Sequence, residues 1–149
     1  TEAIQNWESK TSVTPPEIVQ FSKSFLKYFY GMDCYTFQDD FKESFAMMTE
    51  ECKNNAIQYL DKNNIYSVIT TNKLRTKITI SKIRIISNTN NRIVTKSTVY
   101  EESSSYDNPE YKKNTISEIE ITFNKIKRSN QYPNGIVVAS FVRNIIEEK

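Results

Sequence analysis

Arg75-Thr76-Lys77-Ile78-Thr79-Ile80-Ser81-Lys82-Ile83-Arg84-Ile85 alternates apolar and polar residues and then changes phase. Ile78 and Ile80 stand against Lys77, Thr79 and Ser81, whereas Ile83 and Ile85 fall on the opposite parity. Side chains along a strand alternate between two faces, so an unbroken strand would send the two isoleucine pairs to opposite sides. One extra residue near Ser81-Lys82 returns them to a common face, and such a bulge also bends the strand. The stretch therefore predicts a curved sheet. It also marks where the chain changes character, with helical apolar spacing before Asn72 and strand spacing after it.

Downstream, Asn88-Thr89-Asn90-Asn91 reads as the turn of a hairpin into a strand from Arg92 to Glu101, with Ile93, Thr95, Ser97 and Val99 on one face. The polar stretch from Glu102 to Asn114, with Ser103-Ser104-Ser105 and Asn108-Pro109, reads as the longest loop. From Thr115 to Lys127, Ile119, Ile121 and Phe123 alternate with Glu118, Glu120, Thr122 and Asn124, so one face is dry and the other wet. The last strand, Ile136 to Ile146, is apolar on both parities, which predicts a central or doubly covered strand.

Upstream, Thr14-Pro15-Pro16-Glu17 has the form of a helix start: a capping hydroxyl, prolines in the first turn and a glutamate that completes a capping box. Ile18, Phe21, Phe25, Tyr28 and Phe29 follow as an aromatic stripe, and Gly31 suits a left-handed helix terminus. A second helix is expected after Thr36, with Phe37, Phe41, Phe45 and Met48 on one face and Asp39 and Asp40 near its positive end. A third, capped by Thr49, presents Cys52, Ala56, Tyr59 and Leu60 until Asn63-Asn64. The predicted fold is α+β, with three N-terminal helices packed on a curved four-stranded antiparallel sheet. Residues 14–149 form a single globular domain in this reading, and residues 1–13, with Ile4 and Trp7, read as a linker or the end of an anchor-proximal helix.

The chain has no histidine, which removes Ser-His and Cys-His nucleophile pairs and the commonest metal ligand and general base. With only Gly31 and Gly135 there is no glycine-rich phosphate cradle, so no cofactor is expected. The paired carboxylates Asp39-Asp40, Glu50-Glu51 and Glu101-Glu102 point apart as neighbours in sequence, and two of the pairs sit where helix-start acids belong. A net charge of +2 and a short Lys125–Arg128 run do not call for a nucleic-acid partner. Cys34 and Cys52 lack the spacing of a metal or redox motif; they either form a single bridge or remain two reduced thiols.

This layout is that of the cone-shaped fold named after nuclear transport factor two, which serves both isomerase-type or small-molecule-binding enzymes and noncatalytic assembly domains. Tyr132-Pro133-Asn134-Gly135-Ile136-Val137-Val138 resembles the Asn-Pro-any-Gly turn that opens the last strand of the VirB8-like and TraE-like inner-membrane proteins of type IV secretion and conjugation. Pro133 and Gly135 match, whereas Tyr132 replaces the family asparagine. The aromatic helix Phe21–Phe29 after a linker adds to the likeness. The resemblance implies a noncatalytic scaffold held by an upstream membrane helix, with its globular part in the periplasm or otherwise outside the cytoplasm. It implies weak self-association and contacts with other channel subunits, and it points to Pro133, Asn134 and Gly135 as an interaction surface. An enzyme of the same fold would instead need a polar chamber, for example Tyr100 or Glu118 facing the hollow.

Overall fold

The computed structural model describes residues 12–149, so the expected linker 1–13 lies, apart from Ser12 and Val13, outside the described residues. Four helices precede the sheet: α1 (Pro15–Tyr30), α2 (Phe37–Ala46), α3 (Glu50–Lys62) and α4 (Ile65–Thr71). The strands are β1 (Leu74–Asn88), β2 (Arg92–Ser105), β3 (Lys112–Lys125) and β4 (Ile136–Glu148), antiparallel in the order β1-β2-β3-β4.

The bulge forms where the phase change requires it. Ile80 faces Val99 and Lys82 faces Thr98, leaving Ser81 as the extra residue. Ile78, Ile80, Ile83 and Ile85 then share the helix side, while Lys77, Lys82 and Arg84 face away. A second register shift falls at Ile86, and β4 carries two more, at Ala139 and Ile146. These shifts bend the sheet around the helices.

On its inner face Ile93, Val99, Ile119, Ile121 and Phe123 are fully buried, against Ile18, Phe25, Leu26 and Phe29 of α1. Each such side chain contributes roughly 1.5–3 kcal/mol by leaving water. Aromatic edges fill the middle: Phe141 of β4 meets the rings of Phe25 and Phe29 edge-on, at 5.1 and 4.9 Å between centroids. The capping box of α1 forms as the sequence indicates, with Thr14 Oγ1 accepting from the Glu17 amide.

Four expectations need correction. Among the described residues the helices number four where three are expected: Ile65-Tyr66-Ser67-Val68-Ile69-Thr70-Thr71 is rich in β-branched residues, which weakens its helical signal, yet it forms α4 and Ile69 is buried in the core. Gly31 is not left-handed, having φ −80°; a side chain is excluded because a Cβ would sit 2.6 Å from the Lys27 carbonyl oxygen. The loop expected over residues 102–114 shrinks to 106–111, since β2 continues to Ser105 and β3 begins at Lys112. Finally, β4 is an edge strand. Its first three residues are buried, but Val142, Ile145 and Ile146 are 54%, 52% and 63% exposed.

Both sheet edges are closed at one end by the helical layer. On β1, Cys34 N–H donates to the Leu74 carbonyl (2.9 Å) and Thr76 N–H to the Met32 carbonyl (2.6 Å). On β4, Val138 N–H donates to the Met47 carbonyl (2.7 Å) and Thr49 N–H to the Val138 carbonyl (2.9 Å). Among the described residues, no helix is long and apolar enough to cross a membrane.

Candidate functional site

The turn between β3 and β4 is built around Gly135, whose φ of +71° lies in the left-handed region that side chains avoid. The Gly135 and Ser129 amides both donate to the Tyr132 carbonyl oxygen at 3.2 Å, and the Tyr132 amide donates to Ser129 Oγ at 3.1 Å. Arg128 then ties the turn to the helical layer. Its Nη1 donates to the Pro133 carbonyl (2.8 Å), and its Nη2 to Glu17 Oε2 (2.8 Å) and the Ser12 carbonyl (2.9 Å). The guanidinium holds the Glu17 carboxyl below its ordinary pKa. Pro133 and Asn134 remain exposed on the rim of a cleft of about 360 Å³ between the turn and α1 and α2, floored by Phe21 and Met47. Of the residues singled out from sequence, Pro133 and Asn134 thus form an exposed ledge and Gly135 is the buried hinge beneath it. Arg128, at the end of the short Lys125–Arg128 run, supplies the clamp.

A second arrangement was not foreseen. Arg143 points inward from β4 opposite Ile119, and its Nη2 lies 2.6 Å from Glu101 Oε2 of β2. The guanidinium carbon sits 5.6 Å from the centre of the Tyr30 ring. Glu101 is only 8% exposed, and burial raises its pKa while Arg143 draws it back. Burial likewise pushes up the Tyr30 phenol. Tyr30 and Arg143 floor an open cleft of about 480 Å³ between α3 and β4, walled by Phe29, Ala56, Tyr59, Phe141 and Ile145. Its lining mixes these apolar side chains with Asn55, Ser140, two tyrosines and the one cation, a composition suited to binding. The Glu101-Glu102 pair splits as adjacent strand residues must: Glu101 turns in and Glu102 out.

Sequence offered one signal for this site. Arg143 is the sole charge in the apolar run Ile136–Ile146, and a lone charge in such a run requires a partner. Which partner, and that Ala139 bulges to bring Phe141 and Arg143 onto the inner face, follows only from the register.

Glu118 and Glu120 face away from the helices, and Tyr100 is exposed on the same outer side. None of these three enters the hollow. Beneath the helices the hydroxyls of Thr95, Ser97 and Ser117 are buried without a hydrogen-bond partner. Cys34 and Cys52, the candidate bridge, are both free thiols. Cys52 packs in the core on α3, its pKa pushed up to about 11 by burial, while Cys34 is half-buried beside the start of β1. Among the described residues no cluster of potential ligands could hold a metal ion.

No family model and no curated protein sequence matches the chain, so likeness is carried by the fold. An IcmL-like type IV secretion system protein from Legionella pneumophila superposes with a TM-score of 0.76 at 12% identity, covering 90% of this chain and 94% of that one. The periplasmic domain of DotI gives 0.75 at 13% identity over 89% and 96% of the two chains. VirB8 of Agrobacterium tumefaciens gives 0.72 at 12% identity over 89% and 92%. TraE, solved in complex with 2-(2-furyl)isonicotinic acid, gives 0.71 at 16% identity over 90% and 98%. The described helices and bent sheet therefore have the fold shared by VirB8, TraE, DotI and IcmL-like type IV secretion proteins.

Proposed function

We propose that this chain is the periplasmic domain of an inner-membrane scaffold in a type IV secretion or conjugation machine, acting through protein contacts and without bond chemistry. The observation that carries the reading is the fold, matched over about nine-tenths of the chain to an IcmL-like type IV secretion system protein and to the periplasmic domain of DotI. The bent strands also support the layout named after nuclear transport factor two. In this reading a membrane helix precedes the domain, the domain self-associates weakly, and it meets other channel subunits. The Pro133–Gly135 turn is one contact surface, because Arg128 fixes its backbone and the Pro133 and Asn134 side chains are exposed. The filled aromatic core and the outward Glu118 and Glu120 weigh against an enzyme of the same fold.

The test is loss of function in the host together with physical association. Removing the gene should abolish substrate transfer, and the chain should be pulled down with other subunits of the machine. Shortening the turn at residues 133–135 should weaken sedimentation-detected self-association or partner capture while the helical signal persists. Unimpaired transfer without the gene would end the secretion reading; unchanged assembly of the shortened chain would end only the role of the turn.

A second reading rests on the Arg143 cleft. The Arg143 guanidinium beside the Tyr30 ring, in a largely apolar groove, suits a small aromatic carboxylate that would compete with Glu101 for it, the chemical class of the molecule solved in complex with TraE. Titration of such a carboxylate followed by backbone NMR shifts at Arg143 and Tyr59 tests it; shifts scattered elsewhere would exclude the cleft.

A further inference from the structure

The open edge of β1 combines two features that the scaffold reading leaves unused. The first is its backbone. Leu74 and Thr76 turn their peptide groups outward to Cys34 and Met32, so by the alternation of an antiparallel strand Ile78 and Ile80 also point theirs outward. Among the described residues nothing pairs with them. The second is charge. Strand β1 carries Arg75, Lys77, Lys82 and Arg84 and no carboxylate. All four are exposed on the outer face, and none makes an ion pair among the described residues. Lys77 stands across from Glu102 of β2 without an ion pair to it, whereas Arg84 lies directly across from Lys96, a like-charge pairing that costs stability within a sheet and is eased from β3 by Glu118, 3.8 Å from Lys96, and by Glu120 opposite it.

We propose that the Lys77–Ile85 edge of β1 is a docking site for an extended acidic segment of a partner protein, which adds a fifth strand and sets carboxylates at alternate positions beside Lys77, Lys82 and Arg84. A strand laid on this edge fulfils both features at once. Its backbone pairs with Ile78 and Ile80, and its outward side chains fall level with the row of cations. A nucleic acid or an anionic lipid surface matches the charge but leaves the outward peptide groups unpaired. A second copy of β1 matches the backbone but opposes cation to cation. The Ser81 bulge limits the register, because pairing must accommodate two residues opposite one. The inference uses only this edge and holds whether or not the chain works in secretion.

The experiment uses the whole chain and a fluorescent peptide of alternating glutamate and threonine. Anisotropy should show saturable binding, and amide exchange should slow at Ile78 and Ile80 when peptide is present. Reversing two cations (Lys77→Glu with Arg84→Glu) should weaken binding by about tenfold or more, with the fold intact by circular dichroism. A peptide of the same charge, N-methylated at alternate residues, should bind at least about tenfold more weakly than its parent, since it keeps the carboxylates and loses the amide donors. Equal binding of the N-methylated peptide would overturn strand addition. So would tighter binding of single-stranded DNA or of anionic vesicles than of the peptide, or protection at Val142–Ile146 in place of Ile78 and Ile80.

Discussion

Arg143 Nη2 and Glu101 Oε2 lie 2.6 Å apart on the inner face of the sheet, joining strands that are not neighbours. Strand β3 runs between them, so the pair spans two ladders and fixes the distance from edge to interior. Replacing Arg143 with methionine leaves a buried carboxylate without its counter-ion, and unfolding in urea at neutral pH should show a loss of about 3 kcal/mol. Changing Glu101 to glutamine as well should return most of it. The pH dependence has a definite sign. Burial raises the folded pKa of Glu101, so its contribution is most favourable below the ordinary value of 4.5 and is lost as pH rises through the raised value. The Arg143→Met defect should therefore shrink as the medium is acidified.

Glu17 behaves oppositely. Arg128 lowers its folded pKa, so its stabilisation is present above the ordinary value of 4.5 and disappears as pH falls through the lower folded value. Glu17→Gln should cost about 0.5–1 kcal/mol at pH 7 and flatten the acid limb of a stability–pH curve. A variant as acid-sensitive as the parent would show that Arg128 does not act through this carboxylate.

Gly135→Val places a branched side chain at φ +71°, with its Cβ 3.1 Å from Arg128 Cγ. The turn should lose about 1–3 kcal/mol, read as a lower thermal midpoint, while Gly135→Asn should lose less because asparagine tolerates that conformation. Equal midpoints for the two variants would mean that the turn relaxes.

The thiols make a separate check on the helical layer. Alkylation followed by mass spectrometry should modify half-buried Cys34 first and Cys52 only on unfolding, since Cys52 is buried with a pKa near 11. Recovery of a linked Cys34–Cys52 peptide from the native chain would contradict the free thiols.

How much of this was legible depended on whether the signal was local. The Thr14 capping box, the Thr49 cap and the Ser81 bulge each reside within a few residues and were readable directly. Strand β4 was misread because apolar residues on both parities usually mean cover on both faces. Here both faces are covered only at Ile136, Val137 and Val138; beyond them Phe141 and Arg143 turn inward while Val142, Ile145 and Ile146 lie at an open margin. Arg143, Glu101 and Tyr30 come from three elements and meet through register, which no window of sequence contains. The Pro133–Gly135 turn was visible, but the clamp that stiffens it was not, since Glu17 and Arg128 are separated by most of the chain.

The Arg128 clamp has a mechanical corollary. One guanidinium holds the Ser12 carbonyl and Glu17 at the first turn of α1 and the Pro133 carbonyl in the turn of the last hairpin. Losing that one side chain would therefore loosen the entry to α1 and the β3–β4 turn together.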